Sequence, residues 1–217
     1  MTANPHPEHL VNAETPEFGP IQQPLLIVIS GPSGVGKDSV LRELKDRGLP
    51  LHFVVTVNTR APRADETDGV DYIFISHERF EDMQANGELL EYAKVYNDYK
   101  GVPRDQVKEA MASGKDVLMR LDVQGAATIK AQQPDALLIF ITVSSEEELV
   151  QRLQARKTES AEDLRVRIET ARQEFKRAAE FDYVVVNAHN QLEQAVDDIV
   201  DIIQAEHHRA QPRQVNL

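Results

Sequence analysis

Leu25-Leu-Ile-Val-Ile29, followed at once by Gly31-Pro-Ser-Gly-Val-Gly36-Lys37, decides the reading of this chain. Five apolar residues in a row suit a strand covered on both faces, as in a parallel sheet. The spacing Gly-x-x-x-x-Gly-Lys, placed between a strand and a helix start, lets backbone N–H groups wrap phosphate closely, and the helix adds its positive N-terminal end. Lys37 is placed to reach the β- and γ-phosphates. Gly31, Pro32, Ser33, Gly34, Val35, Gly36, Lys37, Asp38 and Ser39 are therefore the expected loop for the phosphates of a nucleoside triphosphate. The residue after the lysine, ordinarily a Ser or Thr that ligates Mg²⁺, is Asp38. It is either a hard oxygen ligand for the metal or a charge that favours the helix N-terminus.

Outward from this loop, apolar runs alternate with helical patterns. Val117–Met119, Leu137–Ile141 and Tyr183–Val186 repeat the strand signal. Helices are expected over Ser39–Asp46, Arg104–Ser113, Ala126–Ala131, Glu146–Arg156, Ala161–Ala179 and Leu192–Glu206, with Ser145 and Glu148 as a capping box. This alternation predicts an α/β fold, a three-layer sandwich around a parallel central sheet. From Phe53 to Val102 the alternation lapses. Short β-like pieces (Phe53–Val57, Tyr72–Ile75, Leu90–Val95) and one helix, His77–Asn86, read as a β-rich insertion. Residues 1–23 and 207–217 lack periodicity and read as flexible tails.

Acidic residues number 36 against 24 basic, a net charge of −12, which argues against nucleic acid or an anionic membrane as partner. Cysteine is absent, so disulfides, thiolate metal sites and thiol nucleophiles are excluded. No apolar stretch is long enough to span a bilayer, and the acidic start lacks the pattern of a signal or transit peptide. A cytoplasmic enzyme is expected.

A second constellation runs from Thr56 to Phe74: Thr56-Val-Asn-Thr-Arg60-Ala-Pro-Arg63-Ala-Asp-Glu66-Thr-Asp-Gly69-Val-Asp-Tyr72-Ile-Phe74. Arg60 and Arg63, around a restraining proline, can converge on one phosphate, with Tyr72 adding a hydroxyl. Together with the loop, Leu90-Glu91-Tyr92-Ala93, Asp122-Val-Gln-Gly125 and Val186-Asn187, this segment resembles the guanylate kinase family over residues 24–206. The resemblance implies phosphorylation of GMP by ATP with Mg²⁺, and it makes ATP the triphosphate expected on the loop from Gly31 to Ser39. The insertion, about 53–102, becomes a GMP-binding subdomain and the stretch about 152–170 a helical lid. Thr56, Arg60, Arg63, Glu66, Tyr72, Glu91, Lys100 and Asp122 fall at GMP-binding positions, Glu91 reading guanine. Arg156 and Asn187 fall near adenine. Lys37, Arg60, Arg152 and Arg167 become the catalytic cations, and Asp38 with Asp122 the metal-side carboxylates. Asp122 otherwise reads as a Walker-B aspartate or a plain turn residue at a strand end.

Three positions depart from the family pattern: Lys100 for a tyrosine, Val102 for a hydroxyl residue and Arg120 for a frequent aspartate. Ribose-1,5-bisphosphate kinases share Gly-Lys-Asp-Ser, and inert guanylate-kinase-like interaction modules share the fold, so both stand as alternatives. The expected partners are nucleotides alone, on a monomer or weak homo-oligomer.

Overall fold

The computed structural model describes residues 23–63, 66–95, 97–155 and 161–217. Nine strands and seven α-helices lie in this order among the described residues: β1 Leu26–Ser30, α1 Lys37–Asp46, β2 Leu51–Phe53, β3 Val57–Asn58, β4 Ile73–Phe74, α2 His77–Ala85, β5 Leu89–Val95, β6 Asp98–Pro103, α3 Arg104–Ala112, β7 Asp116–Arg120, α4 Val123–Gln132, β8 Leu137–Thr142, α5 Glu146–Gln154, α6 Ala161–Lys176, β9 Tyr183–Val186 and α7 Leu192–His207. Five strands form a wholly parallel sheet in the order β2-β7-β1-β8-β9.

Strand β1 shows why the arrangement has three layers. Side chains alternate across a strand, and here both sides are apolar and covered. Leu25, Ile27 and Ile29 pack with Val40 and Leu44 of α1, Leu149 and Leu153 of α5, Ala171 of α6 and Val196 and Ile199 of α7. Leu26 and Val28 pack on the opposite face with Val107 of α3 and Ala126 and Ile129 of α4. The parallel-sheet expectation holds, and the continuous apolar runs are its cause.

The insertion carries its own four-stranded sheet, β4-β3-β6-β5, over a small core of Val57, Phe80, Met83 and Leu89. Two expectations shift here. Phe53–Val57 is not one strand. Leu51–Phe53 pairs with β7 at the edge of the main sheet, whereas Val57–Asn58 pairs with β4 and β6. The insertion's own strands therefore begin at Val57, not Phe53. Strand β6 was not foreseen: its lysine, glycine and proline have little strand propensity, and its pairing with β5 supplies what they lack.

The C-terminal residues are not a loose tail. His207 Nε2 meets Asp116 Oδ2 at 2.8 Å, and Val215 and Leu217 pack against the α3/α4 side of the core. Arg213, 9% exposed, donates from Nε to Glu206 Oε2 at 2.7 Å and from NH1 to the Ala136 carbonyl at 3.3 Å. Glu206 is 2% exposed and also accepts from Tyr183 Oη at 2.7 Å. The segment docks because a buried carboxylate needs its counter-charge. Removing one member of a buried pair strands the other. Arg213→Ala is accordingly expected to cost about 3 kcal/mol, with a melting temperature lower by about 6–12 °C. Urea unfolding checks this, and a loss below about 1 kcal/mol would sink it.

Candidate active site

The glycines of the loop after β1 are dictated by backbone conformation and by close approach. Gly31, Gly34 and Gly36 all have positive φ, at 136°, 94° and 92°. A side chain on Gly31 would overlap the Ile141 carbonyl oxygen of neighbouring β8. Lys37 opens α1 and turns its ammonium back over the loop, donating to the carbonyls of Gly31 and, at 3.0 Å, Pro32. The loop is also braced from behind. The Val35 carbonyl accepts from Asn187 Nδ2 at 2.8 Å and from Arg152 NH1 at 3.1 Å.

A cavity of ≈ 340 Å³ joins this loop to the insertion. Its walls include Gly31, Ser33 and Lys37 on one side, and Thr56, Tyr72, Glu91 and Lys100 on the other. Asp122 lies at the seam. Its Oδ1 caps α4, accepting from the N–H groups of Gln124 at 3.0 Å and Gly125 at 2.8 Å. Helix α4 therefore starts at Val123, earlier than its apolar pattern indicates.

Glu91 reaches this cavity through an irregularity in β5. The pairing with β6 slips between Leu89 and Glu91, so Leu89, Leu90 and Glu91 are buried in succession at 5%, 2% and 7% exposure. Regular alternation would turn one of the three to solvent; the bulge re-aims them. Leu89 enters the insertion's core, Leu90 the main core, and Glu91 faces α4, where Gly125 leaves it room. A Cβ at position 125 would stand 3.0 Å from Glu91 Oε1. Burial, and then the charge of Asp122, push the Glu91 carboxyl up to about 7. The pocket offers the ionised carboxylate little solvation of its own.

Around Tyr72 the site is cationic. Arg60, Lys100 and Arg120 place their charged groups 5.2, 5.6 and 5.9 Å from its ring centre. Glu66 grips Arg60 with both oxygens, at 2.7 and 2.5 Å, and accepts the Arg63 backbone N–H at 2.9 Å. That grip holds Glu66 near 2, well below the usual carboxylate range. Burial, followed by repulsion from Arg60 and Arg63, pushes Lys100 down.

The guanylate kinase family model matches residues 23–206. The chain belongs to the guanylate kinase family. Curated relatives include guanylate kinase 2, chloroplastic/mitochondrial, of Oryza sativa subsp. japonica, 49% identical over 92% of this chain and 70% of the rice protein. The guanylate kinase of Lactococcus lactis is 42% identical over 85% of this chain and 89% of its own length. Among solved structures, the guanylate kinase of Anaplasma phagocytophilum aligns at a TM-score of 0.71 and 29% identity, covering 87% of this chain and 89% of that one.

Against this family background, several expected site residues take other places. Arg152 pairs with Glu148 at 2.5 Å and donates to the Asn187 carbonyl at 2.8 Å. Neither Arg152 nor Asn187 lines the cavity, and both serve the back of the phosphate loop. Ser39 is exposed on α1, away from the cavity. Arg156 lies outside the described residues. Arg167 does reach the loop, donating to Ser33 Oγ at 2.6 Å, whereas neighbouring Arg165 pairs with Glu162 in solvent. Glu174, which sequence reasoning missed, also lines the cavity and accepts the Ser33 backbone N–H. Burial pushes its carboxyl up, against the pull of Lys37. Its signal was the helical spacing Arg167, Ala171, Glu174, with the buried alanine letting α6 approach the loop.

Mg²⁺ keeps several waters and takes few protein carboxylates when phosphates share it. Among the described residues no group of three or more acidic, His or Cys side chains forms a cage. Asp122, in the seam near Lys37, suits the edge of a phosphate-held ion. Asp38, the other carboxylate expected on the metal side, forms an ion pair with Arg120 through one oxygen. No helix among the described residues is long and apolar enough to cross a membrane.

Proposed function

We propose that this protein transfers the γ-phosphoryl group of ATP to GMP, yielding ADP and GDP. The observation that carries this reading is Glu91, a buried carboxylate opposite the phosphate loop in one cavity. Guanine presents two adjacent donors, N1–H and the exocyclic amine, that such a carboxylate satisfies. Adenine presents none there and would leave the carboxylate unpaired. Ribose bisphosphate has no base to meet it, and an inert module has no use for Lys37.

In the proposed reaction an oxygen of the GMP phosphate attacks the γ-phosphorus in line. The bond to the β–γ bridging oxygen breaks, and ADP leaves with that electron pair. The attacking oxygen is already anionic, so no general base is needed; alignment and charge neutralisation supply the rate. Arg60, fixed by Glu66 and stacked by Tyr72 and Phe74, holds the acceptor phosphate with Arg63 and Lys100. The loop N–H groups, Lys37 and Arg167 hold the donor. Asp122 would help to hold Mg²⁺, which would supply further charge neutralisation.

The test is an acceptor panel of GMP, AMP, UMP, dTMP and ribose-1,5-bisphosphate with Mg-ATP, read as ADP formed. GMP is expected to exceed every other acceptor by at least about 10³-fold in kcat/KM; a different best acceptor would overturn the reading.

The position of the Glu91 carboxyl adds a pH prediction. Guanine needs the ionised form, and the empty site holds the proton to about 7. GMP affinity therefore rises with pH through 7, by about tenfold between pH 6 and pH 8. KM for GMP measured across that range checks it, with Glu91→Gln as the reference that lacks the Glu91 titration. The same slope in both proteins would refute it.

A further inference from the structure

Asp38, which departs from the phosphate-loop motif, and Arg120, which departs from the family pattern, meet in space. Arg120, at the end of β7, donates from NH2 to Tyr72 Oη at 2.6 Å and pairs through NH1 with Asp38 in the first turn of α1. Asp38 is next to Lys37, and Tyr72 belongs to the acceptor segment. The chain Asp38–Arg120–Tyr72 thus runs from the donor loop to the acceptor subdomain.

Its placement is not peripheral. A second, polar cleft of ≈ 460 Å³ lies beside the active-site cavity, lined by Arg42, Lys45, Arg63, Glu66 and Asp71 among others. Asp38, Thr56, Tyr72 and Arg120 line both spaces. The three linked side chains form the partition between them. Resting on the GMP kinase reading above, we propose that Asp38 is a positioning residue for the acceptor site: it orients Arg120, which fixes the Tyr72 hydroxyl where the acceptor phosphate binds.

The sign of the effect separates this role from its rivals. Asp38 acting only as a charge repels an incoming dianion, so its removal would tighten GMP binding. Asp38 acting as a metal ligand would leave GMP binding untouched when neither metal nor ATP is present. Asp38 acting through Arg120 makes metal-free GMP binding weaker when it is lost. Arginine suits the bridge because its fork serves two acceptors at once, which a lysine ammonium on a flexible stem does less well.

The experiment is calorimetric GMP binding to the full chain in EDTA without ATP, on wild type, Asp38→Ser, Arg120→Gln and the double variant. Asp38→Ser is expected to raise the GMP Kd about tenfold, and the double variant to bind no more weakly than Arg120→Gln alone. Unchanged or tighter binding by Asp38→Ser, or additive losses in the double variant, would overturn the proposal. Asp38 is largely exposed, so Asp38→Ser folds and decides the sign even if Arg120→Gln does not fold. Tyr72→Phe then replaces it in the cycle. Wild-type turnover of GMP in a parallel assay tests the underlying activity separately, so the two failures are distinguishable.

Discussion

Glu91→Gln is expected to lower kcat/KM for GMP by about 10⁴-fold while leaving ATP binding within about twofold of wild type. The substitution keeps size and shape and changes one thing: an acceptor edge becomes half donor. In a site only 7% exposed, the new amide N–H faces a guanine N–H, and neither has water to turn to. Leaving buried polar groups unpaired is costlier than losing a hydrogen bond. The raised carboxyl pKa has the same origin, since the pocket offers the charge little solvation until guanine arrives. Steady-state kinetics with each substrate varied, and ATP titration by calorimetry, would check both halves. A loss below tenfold for GMP would show that Glu91 does not read the base.

Among the described glycines, Gly31 is where an added methyl would come nearest another atom, so Gly31→Ala is expected to be strongly damaging. Two costs add at this position. The backbone φ of 136° is one that L side chains rarely adopt, worth about 1–3 kcal/mol. The added carbon also falls on the Ile141 carbonyl, a rigid part of adjacent β8 rather than a side chain that could swing aside. Together they predict about 4 kcal/mol of destabilisation and a melting temperature lower by about 8–16 °C. Any folded fraction should bind ATP poorly, because the loop must shift to relieve the overlap. Gly48→Ala is the matched comparison: its φ is 65° and nothing lies within 4 Å of the added carbon. It should cost about 1 kcal/mol, the conformational part alone. Equal losses in the two variants would mean that the contact with β8 is unimportant.

The sequence was most legible where a function is written locally. The apolar strand, the glycine spacing and Lys37 lie within a dozen or so residues, and each constrains the next. Glu91 could be named from its motif, but the bulge that delivers it could not, because a slip in register depends on β6, a strand hidden by lysine, glycine and proline. The family resemblance assigns Arg152 to the transferring phosphoryl group and Asn187 to the neighbourhood of adenine, and it does not say what else their side chains hold. Both meet the Val35 carbonyl. Asp38 was legible as an anomaly and illegible as a solution, since its partner Arg120 stands on a different strand far along the chain. A residue that looks wrong for the motif becomes understandable only beside the second residue that departs with it.

One boundary drawn by similarity does not coincide with a physical one. The family match ends at residue 206, and residue 206 is the buried glutamate whose counter-ion lies seven positions further on. A protein trimmed to the shared region would keep the anion and discard the cation that neutralises it. Affinity tags and fusion partners are therefore better joined at the other end.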